Sequence, residues 1–87
     1  MRPESVIVDV AIHKDDWLRV YQGSAHRVHA VARDGRSVVF PAWILQRWMD
    51  HDGVYGTFVI RYNSDGKFES IHKIGDISKS TSSTPVG

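Results

Sequence analysis

The chain has 87 residues, 41% hydrophobic and 24% charged, with eleven basic against ten acidic side chains and no cysteine. That length fits one domain with a modest core. The near-balanced charge lacks the basic excess of a typical nucleic-acid binder, and the missing cysteines exclude disulfides and thiolate metal sites.

The first segment, "MRPESVIVDVAIHKDD", is broken by Asp9 and His13 and offers no small-residue cleavage site. It does not read as a signal peptide. No apolar run approaches the ~20 residues of a membrane span, so a cytoplasmic protein is expected. Within it, residues 6–12 alternate as a strand. Val6, Val8, Val10 and Ile12 share one face, and Ile7, Asp9 and Ala11 the other.

A short helix is predicted near residues 15–22. Asp15 or Asp16 suits its first turn, Gly23 its end, and Trp17, Leu18 and Tyr21 form its apolar stripe. "HRVHAVARDGRSVVF" predicts a hairpin about Asp34-Gly35, a pair that favours a type I′ turn. Val28, Ala30, Ala32, Val38 and Phe40 fall on its apolar face.

Pro41 suits the first position of a second helix running to about Met49. At about 100° per residue, Ile44, Leu45, Trp48 and Met49 form its core arc. Trp43 lies on the opposite flank, with Arg47 one turn on, where the two can stack as a cation–π pair at the surface. Residues 50–53 form a turn closed by Gly53. A second hairpin follows, with Phe58, Ile60 and Tyr62 on one face and its turn in "NSDG". Phe68, Ile71 and Ile74 are spaced by three, which strict alternation cannot bury together. A β-bulge near Glu69–Ser70 would repair this.

The order β-α-β-β-α-β-β defines an α+β domain over residues 1–74. It is expected as one antiparallel sheet of about five strands, or as a strongly curved partial barrel, with two short helices. Residues 75–87 are Ser/Thr-rich and expected to be a disordered tail.

Several motifs stand in order along this frame: Tyr21-Gln22-Gly23-Ser24-Ala25, then Asp34-Gly35 through Val39-Phe40-Pro41-Ala42, then Gly53-Val54-Tyr55-Gly56-Thr57-Phe58, then Lys67-Phe68 through Ile74. Over roughly residues 8–74 they resemble a small bacterial domain family of unknown function, known mainly from gammaproteobacteria. The resemblance implies a free-standing small cytoplasmic protein and brings no activity with it. Trp43 departs from the pattern, which leads one to expect a smaller and more polar residue there.

Catalytic and cofactor signals are weak. Ser24 and His26 lie two apart, but no G-x-S-x-G elbow surrounds the serine. His26 and His29 fall on opposite faces of a strand, and Asp50-His51-Asp52 reads as a solvated turn rather than a chelate. There is neither a G-x-G-x-x-G nor a P-loop, so no cofactor is expected. The expectation is a non-enzymatic module that binds a partner protein or a second copy of itself. Trp43, Arg47 and Tyr55 are its candidate anchors, and the edge of the strand at 6–12 is a candidate for self-pairing. The alternative is weak nucleic-acid binding through a basic hairpin face of Arg27, His29, Arg33 and Arg36.

Overall fold

The computed structural model describes residues 4–87. Residues 1–3, which the sequence assigns to the domain, lie outside the described residues. Five strands and two short helices follow the expected order: β1 (Glu4–His13), α1 (Lys14–Tyr21), β2 (Arg27–Val31), β3 (Ser37–Pro41), a 3₁₀ helix (Ala42–Trp48), β4 (Gly53–Tyr62) and β5 (Phe68–Gly75).

The strands form two antiparallel sheets rather than one. One sheet has the order β1-β4-β5, the other is the β2-β3 hairpin, and no barrel closes. β1 pairs with β4 along its whole length, from Glu4 opposite Tyr62 to His13 opposite Gly53. Val6, Val8, Val10 and Ile12 are buried as their alternation requires, together with Val54, Phe58 and Ile60 of β4. Val28, Ala30, Val38 and Phe40 line the inner face of the hairpin, and both inner faces share one core. The sheets meet at a corner where the chain beyond β2 changes sheet. Ala32 bridges Val8, and the Arg33 N–H donates to the Ile7 carbonyl at 2.9 Å.

The first hairpin turn differs from the predicted type I′, and the second takes the same form as the first. In a type I′ turn Asp34 and Asp65 would need positive φ, yet among the described residues only glycines have it. Instead each loop holds three residues closed by a left-handed glycine. Ala32 pairs with Arg36 around Gly35 (φ 91°), and Asn63 pairs with Lys67 around Gly66 (φ 80°). The Asn63 side chain accepts from the backbone N–H groups of both Asp65 and Lys67.

The expected bulge in the last strand is present. Phe68 faces Tyr62 and Ser70 faces Arg61, which leaves Glu69 as the extra residue. A second irregularity, at Ile74, leaves that side chain 55% exposed.

The helices depart most from expectation. α1 begins one residue early, capped by the His13 side chain rather than by an aspartate. Asp15 and Asp16 sit in its first turn, where the helix dipole favours acids. Trp17 is buried and Val20 packs on the core, whereas Leu18 and Tyr21 face outward.

The second helix is 3₁₀, and Pro41 is its extended cap rather than its first residue. The segment carries bulky Trp43, Ile44 and Trp48 and has no side-chain cap, which disfavours an α-helix. At about 120° per residue the rows join positions three apart. Ala42, Leu45 and Trp48 therefore point inward, and Trp43, Gln46 and Met49 outward. This moves Met49 out of its expected core arc, and it is 42% exposed. Trp48 meets Phe58 edge-on with ring centroids 5.1 Å apart.

Gly53 joins the turn at 50–53 to the start of β4. Its φ is 123°, and a Cβ there would lie 2.0 Å from the Ile12 carbonyl oxygen. Gly66 also has positive φ but open space around it. Gly53→Ala is expected to cost at least ~3 kcal/mol, from backbone strain plus collision with β1, against ~1 kcal/mol for Gly66→Ala. Urea unfolding of the two variants measures the difference, and equal losses would contradict this packing.

Candidate protein interface

The β2–β3 hairpin turns Arg27, His29 and Val31 outward from β2, and Ser37, Val39 and Pro41 outward from β3. Arg27 stands opposite Pro41, and His29 opposite Val39. Directly after β3, the 3₁₀ pitch places Trp43 at the end of this face with 64% of its surface exposed. Its ring is nonetheless held in position, meeting Phe68 edge-on at 6.3 Å and 76°. Trp43, Val39, Pro41 and Arg27 border a shallow open pocket of about 300 Å³. Val39 also lines a neighbouring groove of about 500 Å³ that runs toward Tyr62 and the second hairpin turn.

The other two candidate anchors do not join this surface. Arg47 lies over the Trp48 ring at 5.0 Å instead of pairing with Trp43. The 3₁₀ pitch explains this, because residues four apart no longer stack on one row. Tyr55 belongs to β4 itself, opposite Ala11, and Lys79 lies over its ring at 5.9 Å. It sits seven residues along β4 from Tyr62, the partner of Phe68, a separation of about 23 Å.

The expected basic face is divided. Arg27 and His29 are exposed on β2, but Arg33 and Arg36 lie beyond its end and are engaged by carboxylates. Arg33 pairs with Asp9 at 3.1 Å, and Arg36 with Asp34 at 2.7 Å and Glu4 at 3.3 Å. Two of the four basic side chains, Arg33 and Arg36, thus already have anionic partners within the chain.

Other polar groups hold turns in place. The Ser24 hydroxyl donates to the Arg19 carbonyl just past the end of α1. Asp50 accepts from the Asp52 N–H, and Lys79 is paired with the Asp52 carboxylate. That pairing lowers the Asp52 pKa.

One apolar surface was not expected. Leu18 and Tyr21 of α1 and Met49 are exposed around a groove of about 480 Å³, floored by Trp17 and edged by Lys14 and Gln46. The sequence signal for it exists, since a two-turn helix carrying Trp17, Leu18, Val20 and Tyr21 has more apolar width than one contact can cover.

The edge of β1, expected to be free for self-pairing, is occupied. Ile7 accepts from Arg33, and the Ala11 backbone is bonded to Thr84. No helix among the described residues is long and apolar enough to cross a membrane.

The fold and this surface define a small α+β domain of two antiparallel sheets with exposed aromatic and apolar side chains, Trp43 and Tyr21 among them. The family model described as "Protein of unknown function (DUF2835)" matches residues 4–74, and the chain belongs to that family. Neither a curated protein nor a solved structure matches the chain significantly.

Asp9 supplies a measurable electrostatic feature beneath the corner of the fold. The hydrogen bond from Arg33 and a second, 2.5 Å long, from the Thr57 hydroxyl hold its carboxyl below the usual aspartate range. A lowered folded-state pKa means stability that is present above the unfolded value and lost as pH falls through the folded one. Asp9→Asn is therefore expected to lose stability at neutral pH and to show a shallower acid-side decline than the parent chain. Urea midpoints taken between about pH 6 and about pH 2.5 test this, and parallel declines would remove Asp9 from the acid response.

Proposed function

We propose that this domain is a non-enzymatic protein-interaction module that engages a partner through the surface around Trp43. One observation carries the reading: Trp43 is 64% exposed yet fixed by its edge contact with Phe68. A tryptophan already held in one orientation gives up little side-chain freedom on binding, and tryptophan is among the commonest interface anchors. Arg27 beside it offers a charged donor at the rim, and the shallow pocket with Val39 and Pro41 accepts an apolar side chain. The pairing of Arg33 and Arg36 with carboxylates weighs against nucleic acid as the partner, because phosphate binding depends on free cations.

The test compares the parent chain with Trp43→Ala. Truncation at an exposed position is expected to change unfolding stability by no more than ~1 kcal/mol. Affinity capture from the source cells is expected to retain a protein on the parent chain that Trp43→Ala loses. Identical capture by both chains, or unfolding of the variant, would overturn Trp43 as the anchor. A labelled oligonucleotide provides the contrast, and salt-sensitive binding lost on Arg27→Ala would favour nucleic acid instead.

A further inference from the structure

Residues 84–87 lie beyond the part of the chain that matches the family, which ends at residue 74. They nevertheless fill a seam between β1 and β2. The Thr84 N–H donates to the Ala11 carbonyl at 2.8 Å, and the Ala11 N–H donates to the Thr84 hydroxyl at 2.9 Å. Thr84 is only 8% exposed. On the β2 side, Val86 forms an antiparallel bridge with Val28 and packs on the core. Arg27 and Gly87 exchange both backbone bonds, at 2.8 and 2.9 Å, and the His29 N–H donates to the Pro85 carbonyl at 2.9 Å.

This is strand pairing with one bond missing. In an antiparallel ladder, directly opposed hydrogen-bonded residues exchange two bonds. Arg27 and Gly87 do so. His29 and Pro85 occupy the next such pair, and proline has no N–H to return to the His29 carbonyl. The tail is thus a tethered strand that satisfies its seam incompletely. Without it, the Ala11, Arg27 and His29 amides of two neighbouring edges would lack the partners they have here, and such an edge is a template for a foreign strand.

We propose that the β1–β2 seam is a strand-acceptor site for an extended segment of another protein, and that residues 84–87 occupy it in cis. The contacts define the segment it fits. A small hydroxyl residue faces Ala11. A residue with a backbone N–H follows in place of Pro85. A β-branched apolar residue comes next against the core, and a glycine opposite Arg27. A segment of this kind completes the His29 pair, which the tail cannot. Tethering gives the tail a high local concentration, so an incoming segment must outcompete it. The seam lies along the edge of β2 opposite β3 and uses the backbone of Arg27, whereas the Trp43 pocket is bordered by residues of β3 and the Arg27 side chain, so loss of peptide binding in the seam and loss of capture in Trp43→Ala are read separately.

The experiment uses the full chain and a synthetic peptide of residues 80–87 with alanine in place of Pro85, followed by amide resonances and hydrogen exchange. In the parent chain the Ala11 and His29 amides are expected to be protected. In a full chain carrying Thr84→Pro and Val86→Asp they are expected to lose that protection while the β1–β4 amides keep theirs. Added peptide should restore protection and shift the Ala11, Arg27 and His29 resonances, at a concentration at least tenfold lower than the parent chain requires. The peptide carrying the natural proline should bind the released variant more weakly.

Unprotected Ala11 and His29 amides in the parent chain would overturn the proposal. So would a folded variant that ignores the peptide, or shifts that map elsewhere. Should the double variant not fold, millimolar peptide on the parent chain decides, and absence of shifts at those three amides overturns the site.

Discussion

The ladder between β1 and β4 is the constraint on which the rest of this structure depends. It joins the start of the described chain to a strand some fifty residues later, and it aligns the buried row Val6, Val8, Val10 and Ile12 with Phe58 and Ile60. A one-residue slip would turn Asp9 into the core and the valines out to solvent, so the register is fixed by the pattern itself. Gly53 fixes it a second time from the far end, because only a residue without a Cβ can pass the Ile12 carbonyl there. The two hairpins are local and close quickly. The long-range ladder is the element whose loop entropy has to be overcome before the core can assemble.

From that ladder the two sheets diverge for a reason that alternation does not encode. Period-two patterning states which face of a strand is buried, and it located Val28, Ala30, Val38 and Phe40 as well as the β1 row. It is silent on which strand lies beside which. The three-stranded sheet and the separate hairpin meet at Ala32 and Arg33, where Ala32 still pairs with Arg36 but also bridges Val8, and Arg33 bonds to Ile7 of β1. Nothing in "AVARDG" distinguishes a strand that continues from one that turns a corner. The bulge at Glu69 was legible because three apolar residues spaced by three cannot all face inward without one. A domain family of unknown function was legible too, and such a family matches residues 4–74.

The candidate site was half legible for a related reason. Trp43 reads as a surface residue at either helical pitch, and it is exposed. Its neighbours do depend on pitch. At about 100° per residue Arg47 belongs beside it and Met49 belongs in the core, whereas at about 120° Gln46 takes the first place and Met49 turns outward. The difference of about 20° per residue between α and 3₁₀ pitch, accumulated over seven residues, changes which side chains neighbour Trp43. The basic face divides for a different reason. Strand parity aligned Arg27, His29 and Arg33, but parity ends where the strand ends, and β2 stops at Val31. Arg33 then meets Asp9, a residue of another strand that no local pattern connects to it.

The tail shows where composition stops being informative. Low hydrophobicity argues that a segment cannot build a core of its own, and that holds for "SKSTSSTPVG". It does not address a segment that borrows someone else's edge. Docking along β1 and β2 needs backbone groups, which every residue has, plus one hydroxyl and one valine at the right spacing. The energetic asymmetry lies on the side of the receiving strands. An unpaired edge next to a buried core is costly to leave dry and open to adventitious pairing, so even a weakly apolar segment is retained once its bonds are made. Proline at position 85 limits how well that segment can do so, which keeps the seam covered without sealing it. The same physics therefore accounts for both properties of this small domain. Its core faces are specified tightly enough to fix one register, and its β1 and β2 edges are covered by a segment that lacks one backbone donor, at Pro85.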